Sequence, residues 1–479
     1  MNKQVFKAHP IMLFRLIKPF LFILLIPLLR AIIQYITKGE INGLLALEVI
    51  CVLSITVFTV LRWLAISIEI KNESIIVKKG FILKSIAVIE KSRISSVVLK
   101  QNIFDYIFRS VDCSINTEAG TPRKSDYSFK LRVNDAKILY KDVYNEENSE
   151  TVKFSAFRIA LLAATTSSAV TGMIIGVPVL NQASDLLGIA ISEMLLNEIN
   201  HVSSRFNNIF PPIVNTVTII LLIAYFVAFV ISFIKNINFK LQSGKETVEV
   251  QSGFIAKKRI MFKKSKINDI CFEQTPLMRL VKKYSMIASV GGYGDNKGEK
   301  AVVVPVASHV ELEKHFKRHF KHFKPHGKPI SPEISVVNLY RFLYIPAIIA
   351  FLILGLAATL VFAFPYFDRL VIFLTAIALC IDGYYSSVCY NNYKLGKLCL
   401  SDSILVSGSS GFNVRKLYCD KSRIGVVKIS QTPADRHFNT CKVKITVRSE
   451  SADSAKVRNL DLDTVKTIVK KQFNINYDV

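Results

Sequence analysis

The chain has 479 residues, is 51% hydrophobic, and carries 62 Lys+Arg against 36 Asp+Glu, a formal net charge of +26. Its mean hydropathy is +0.35. Those figures exclude a single soluble domain and a purely membrane-embedded bundle: the apolar residues must concentrate in spans and the charge between them.

Taken from the start, Lys3, Lys7, Arg15 and Lys18 precede an apolar run that continues through Arg30 to Tyr35 with no small-x-small cleavage site. This reads as an uncleaved first span. Six stretches are apolar enough for about 20 residues of helix: 17–37, 42–64, 156–180, 211–234, 342–364 and 369–389. They pair into three hairpins. The hairpin connections are poor in basic residues (Lys38, Arg205, and Arg369 at a boundary), whereas the long segments between hairpins are rich in them. Both termini and all three long segments are therefore expected on the cytosolic side.

Arg30 and Glu48 fall at matching depths in the first hairpin and predict an ion pair; the alternative is that Arg30 snorkels outward. Gly172-x-x-x-Gly176, after a run of only Ala, Thr and Ser from Ala163 to Ala169, predicts a close helix seam. Asp382 in the sixth span is an intramembrane polar candidate, with Arg341 as a nearby cation.

The segments after the hairpins repeat. Gly80-Phe81, Gly253-Phe254 and Gly411-Phe412 are followed 11, 11 and 10 residues after the glycine by Lys91-Ser92-Arg93-Ile94, Lys264-Ser265-Lys266-Ile267 and Lys421-Ser422-Arg423-Ile424. Gln101, Gln274 and Gln431 then stand seven residues after each Ile. Before each Gln, Val97 and Leu99, Ile270 and Phe272, and Val427 and Ile429 alternate, as in a strand with one buried face. Further strands are expected near Val111, Tyr284 and Cys441. Each unit closes on a helix, capped by Asn134 or Asp135, by a Ser308/Glu311 capping box, and by Asp463. The glycine marks a turn that needs positive φ.

This pattern resembles the second type of bacterial pleckstrin-homology (PH) domain, and the hairpin-plus-domain unit resembles the YdbS/YdbT-like membrane proteins of bacteria, the three-unit form being similar to the longer, YdbT-like member. The resemblance covers nearly the whole chain. It implies a fold of two nearly orthogonal antiparallel sheets closed by a C-terminal helix, a bacterial plasma membrane, a smaller two-span PH-like partner, and binding or assembly rather than catalysis. The third unit departs, with Asn413 where the others have Ile82 and Ile255. The expected class is a multi-pass α-helical membrane protein with six transmembrane helices in three hairpins and three PH-like β-domains. Its hairpins are 1–64, 151–235 and 331–389, and its domains 65–150, 236–330 and 390–479.

No Walker A loop, G-x-G-x-x-G, H-E-x-x-H or G-x-S-x-G is present, so no enzyme, cofactor or metal is expected. His315, His319 and His322 share a helix face at zinc-compatible spacing, but Pro325 ends the helix and cations crowd the stripe. The eight cysteines contain no C-x-x-C pair and read as reduced structural thiols in a cytosol-facing protein.

Two basic clusters remain. Lys314, Lys317, Arg318, Lys321 and Lys324 accompany an apolar face of Phe316, Phe320 and Phe323; beside a membrane they favour anionic lipid, and otherwise the Phe stripe packs on its own domain. Lys257, Lys258, Arg259, Lys263, Lys264 and Lys266 follow Gly253. The aromatic-basic surface motifs of dedicated nucleic-acid binders are missing, so no nucleic acid is expected. The function that fits is a membrane scaffold whose domains bind one another (including a homo-oligomer), a related partner or anionic lipid, in envelope maintenance or protection. The alternative is a transporter or channel using Asp382 and the Arg30–Glu48 pair.

Overall fold

The computed structural model describes residues 4–20, 33, 35–36, 43–117, 126–144, 150–187, 191–205, 212–254, 256–291, 293, 300–333, 335–401, 403–410, 413–448 and 454–473. They form two compact units, Met1–Thr151 with Gln242–Lys266 and Gly291–Glu299, and Val152–Leu241 with Ile267–Val290 and Lys300–Val479.

In the first unit, β1 (Gln4–Lys7), β2 (Ser67–Ile70), β3 (Ser74–Lys79) and β4 (Ser85–Glu90) form an antiparallel sheet in that order. The strand at the start of the chain thus pairs with the one that follows the helix Gly43–Leu64, Gln4 opposite Ile70. A second sheet begins with β5 (Ile94–Gln101), β6 (Ser110–Thr117) and β7 (Tyr127–Arg132). Their inner faces share one core, including Ile68, Ile75, Val77, Val97, Cys113, Ile115, Phe129 and Leu131, closed by Leu139 of the helix Val133–Val143. No side chain caps that helix, whose cap position is Arg132 rather than Asn134 or Asp135. The second sheet does not stop at β5: β8 (Glu150–Lys153), β9 (Lys240–Ser243), β10 (Thr247–Ser252) and β11 (Lys257–Lys263) extend it in the order β7-β6-β5-β11-β10-β9-β8.

The second unit repeats the arrangement. With β12 (Ile267–Gln274), β13 (Tyr284–Val290), β14 (Ala301–Ala307), β15 (Lys397–Cys399), β16 (Ser403–Ser410) and β17 (Asn413–Asp420), its larger sheet runs β14-β13-β12-β17-β16-β15. A three-stranded sheet follows, β18 (Ile424–Ser430), β19 (Thr440–Val447) and β20 (Ser454–Asp461). The helix Leu462–Phe473 buries Val465 and Val469 against it. Asp461, not Asp463, caps this helix, accepting from the Thr464 N–H at 2.8 Å. The helix His309–His319 carries the expected capping box, Ser308 N–H to Glu311 Oε2 at 3.1 Å and Glu311 N–H to Ser308 Oγ at 3.4 Å.

Three helices of the described residues are long and apolar enough to cross a membrane, Val214–Asn236, Val336–Ala363 and Pro365–Leu395. The expectation of six differs for separate reasons. Most of the first span, Arg30 included, lies outside the described residues. The helix Gly43–Leu64 is present, but the side chain of Glu48 also lies outside them, and only Ile50–Leu64 counts as apolar helix. The third span is broken: Ala156–Thr166 and Ala169–Asp185 meet at 92°. At the break Thr165, Thr166 and Ser167 turn their hydroxyls onto the carbonyls of Leu161, Leu162 and Ala163 at 2.8, 2.7 and 2.6 Å. Ser167 itself is extended, at ψ 151°. Hydroxyls that bond back one turn bend helices. The first arm therefore lies on the β-domain, Leu162 against Met278 and Val306, with Arg158 Nη2 2.9 Å from Glu311 Oε1.

Candidate interaction surfaces

The repeated motif residues turn out to be corner pieces. Each Lys-Ser-Arg/Lys triplet is a single 3-10 turn, at Lys91–Arg93, Lys264–Lys266 and Lys421–Arg423, joining the last strand of one sheet to the first of the next. Gly80 and Gly253 adopt φ of +94° and +101°, and a Cβ on either would sit 1.9 or 1.8 Å from the carbonyl oxygen of Leu83 or Ala256, so the glycine reading holds at both. Gly411 lies outside the described residues. Gln101, Gln274 and Gln431 each donate Nε2–H to a carbonyl nine residues on, at Ser110 (3.2 Å), Lys283 (3.0 Å) and Thr440 (2.7 Å). Each bond clamps a one-turn helix, Ile103–Ile107, Pro276–Leu280 or Pro433–His437. The residue before each acceptor is left-handed: Arg109, Lys282 and Asn439, at φ 52°, 51° and 48°.

Two strand junctions follow from these corners. In the first unit β5 pairs with β11, Ser96 opposite Phe262 through Gln101 opposite Lys257. In the second, β12 pairs with β17, Asp269 opposite Cys419 through Gln274 opposite Val414. Superposing the repeats on their Ile and Gln landmarks puts the two junctions in the same register. Here the expectation of one buried face fails: β5 and β12 are buried on both, because each joins two sheets. The blurred alternation in their sequences, Ile-Ser-Ser-Val-Val-Leu and Ile-Asn-Asp-Ile-Cys-Phe, is the signal that could have revealed this.

The first basic cluster is largely absorbed into a junction. Lys257, Lys258 and Arg259 open β11 opposite Gln101, Lys100 and Leu99. Arg259 Nε is 3.0 Å from Glu249 Oε1 and its guanidinium lies 5.5 Å from the Tyr140 ring centre; Lys258 lies over Tyr293 at 5.6 Å. Lys263 donates to the Lys91 carbonyl at 2.9 Å and Lys264 to that of Gly244 at 2.7 Å. Burial pushes the pKa of both ammonium groups down. Lys266 sits in the corner turn.

The second cluster divides by face. Lys314, Lys317, Arg318, Lys321 and Lys324 are all exposed, whereas Phe316, Phe320 and Phe323 are buried. Phe316 packs tilted against Tyr418, ring centres 4.5 Å apart, and edge-on to Phe272 at 5.6 Å, so the aromatic face covers the second junction. His309, on the same helix, faces Lys416; burial first, and Lys416 second, hold its pKa below the usual value. His315 and His319 stack at 6.0 Å, and among the described residues no group of three His, Cys, Asp or Glu side chains is placed to hold a metal.

Asp382 is buried, and among the described residues Oδ1 has no hydrogen-bond partner. Its expected partner is engaged elsewhere: Arg341 pairs with Asp435, donates to Thr440 Oγ1 at 2.9 Å and lies 4.9 Å from the Phe438 ring centre. The grooves beside the long helices are apolar. One of about 880 Å³ is lined by residues such as Leu354, Ala358, Val361 and Ala376, and one of about 290 Å³ includes Gly172, Gly176 and Val227. All eight cysteines are unbridged, and six are buried. Burial raises the Cys441 thiol to about 12.

Residues 13–147, 187–320 and 340–473 each match the Bacterial PH domain family. The chain belongs to that family. No curated protein matches it, and no solved structure does.

Proposed function

We propose that the protein is a non-enzymatic scaffold of the bacterial plasma membrane, similar to the YdbT-like proteins. In this reading six spans form three hairpins and carry three cytosolic PH-like domains that bind by sheet extension. One observation carries the reading: strand pairing from one repeat to the next occurs twice, in the same register, and each pairing supplies backbone hydrogen bonds that need no catalytic group. A smaller two-span PH-like protein and anionic lipid are the partners that fit. The five exposed cations beside a buried aromatic face favour lipid as a second ligand, since a basic helix near the bilayer attracts anionic headgroups.

The test is purification of the full-length chain from native membranes in mild detergent, sized by light scattering, with flux assays on proteoliposomes. A discrete assembly larger than one chain, unaffected by Asp382→Asn, is expected. A monomer at all concentrations, with a solute flux that Asp382→Asn abolishes, overturns the scaffold in favour of a transporter.

A further inference from the structure

Within the chain, a first strand of a second sheet (β5, β12) twice receives a last strand of a first sheet (β11, β17). One strand of each kind remains at a sheet edge. β4 ends the order β1-β2-β3-β4, and β18 ends β18-β19-β20, with no strand partner beyond either among the described residues. Burial distinguishes these edges from their paired counterparts. Val88 on β4 is 63% exposed, while the residues at its place in the later repeats, Met261 and Tyr418, are 6% and 9% exposed. Val426 on β18 is 57% exposed, while Ser96 and Asp269 at its place are fully buried. Ile86 on β4 is also 63% exposed. Open apolar edge strands template pairing with another chain.

We infer that β18 of one copy pairs antiparallel with β4 of a second copy in the register of the two internal junctions, Val426 opposite Ile89, Val427 opposite Val88 and Ser430 opposite Ser85. This deepens, and rests on, the scaffold reading. The second copy is the occupant because the chain carries both halves of an interface it already makes twice. The contact is head-to-tail, so it propagates or closes a ring instead of stopping at a pair.

Lys428 sets the strength. It occupies the place where β5 and β12 bury Val98 and Cys271, at 3% and 2% exposure. In the shared register it meets Ala87, which leaves room for its stem. Lysine in the middle of an edge strand weakens pairing, so the contact depends on concentration.

The experiment mixes two full-length populations in vesicles, one carrying Ser85→Cys and the other Ser430→Cys, in a background where the exposed Cys51 and Cys380 are replaced by Ser. A short bifunctional maleimide then bridges them. Cross-linked dimers are expected with Ser85→Cys and not with the out-of-register Glu90→Cys. Val88→Lys, at an exposed position and so compatible with folding, abolishes the product. Lys428→Val lowers the protein density for half-maximal cross-linking by about tenfold, the factor of a modest buried-charge penalty. Equal yields with Ser85→Cys and Glu90→Cys, or no product even with Lys428→Val, overturn the inference. So does bridging confined to single copies bearing both cysteines. Assembly seen by light scattering without this cross-link removes the β18–β4 contact and leaves the scaffold; a monomer with neither removes both.

Discussion

Arg415 on β17 reaches across the junction to Glu273 on β12, its Nη2 2.7 Å and Nε 2.9 Å from the same carboxylate oxygen. Asn413 Nδ2 donates to that oxygen too, at 3.0 Å. A half-buried carboxylate with three charged or amide donors loses all of them when it is removed. Glu273→Ala is expected to cost about 1.5–3 kcal/mol, the range for hydrogen bonds to charged groups. A double-mutant cycle with Arg415→Ala, read by urea unfolding in detergent, checks it. Additive single costs would mean that the pair contributes nothing of its own.

The three Gln clamps predict a common signature. Gln274→Ala strands the Lys283 carbonyl in a largely buried corner, at a cost of about 1–3 kcal/mol. Amide exchange should rise locally across Pro276–Leu280. The adjoining Lys282 works against its own φ of 51°. Lys282→Gly should be neutral or slightly stabilising, and Lys282→Val should destabilise, since β-branched residues tolerate that region worst.

Acidification should weaken the second unit. The pKa of His309 is held below its ordinary 6.5 by burial and by Lys416, against the opposing pull of Glu313. That of His315 moves the same way, burial first. A histidine of lowered pKa binds fewer protons folded than unfolded. Its contribution is therefore fully present above 6.5 and is lost as pH falls from there through the lowered folded-state value. Thermal midpoints should fall between pH of about 7.5 and 5.5, and His309→Gln should flatten the fall. An unchanged slope in that variant would exclude His309 as the source.

The exposed stripe Lys314, Lys317, Arg318, Lys321 and Lys324 should act on lipid and not on folding. Lys317 lies 3.9 Å from Glu313, one turn back on the same helix. Changing all five to Gln is expected to leave the thermal midpoint in place. It should sharply reduce the anionic phospholipid that co-purifies, at about 1 kcal/mol per cation near the surface. Co-purified phosphorus per protein is the measurement, and an unchanged ratio would remove the lipid reading.

Much of this arrangement was legible because local chemistry dictates it. The glycine turns at Gly80 and Gly253 and the Ser308/Glu311 box are short-range, and they lie where their residues put them. What joins the repeats was not legible. The blurred alternation of Val97-Val98-Leu99 marks burial on both faces but does not name β11 as the strand alongside, and the Phe316 stripe, read beside a membrane or on its own domain, does not name Tyr418 as the ring that covers it. The position held by Asp105, Met278 and Asp435 makes the same point. Asp105 pairs with Lys130 and Asp435 with Arg341, whereas Met278 packs on Leu162. Such partners come from distant segments, so spacing alone cannot name them. Spacing alone points Arg341 toward Asp382, whereas the carboxylate it pairs with is Asp435.

The seam in the second hairpin makes a graded prediction from two glycines of one motif. A Cβ on Gly172 would lie 1.7 Å from the carbonyl oxygen of Ala224, whereas one on Gly176 would meet only a Val227 methyl at 4.0 Å. Backbone cannot yield as a side-chain end can. Gly176→Ala should therefore be tolerated or slightly stabilising, since alanine favours helix. Gly172→Ala should push the helices Ala169–Leu187 and Pro212–Asn236 apart, at a cost of about 1–3 kcal/mol for overpacking. Thermal unfolding in detergent, followed by exposure of the buried thiols to maleimide, separates the two. Equal midpoints would mean that the close approach at Ala224 is not what holds this pair.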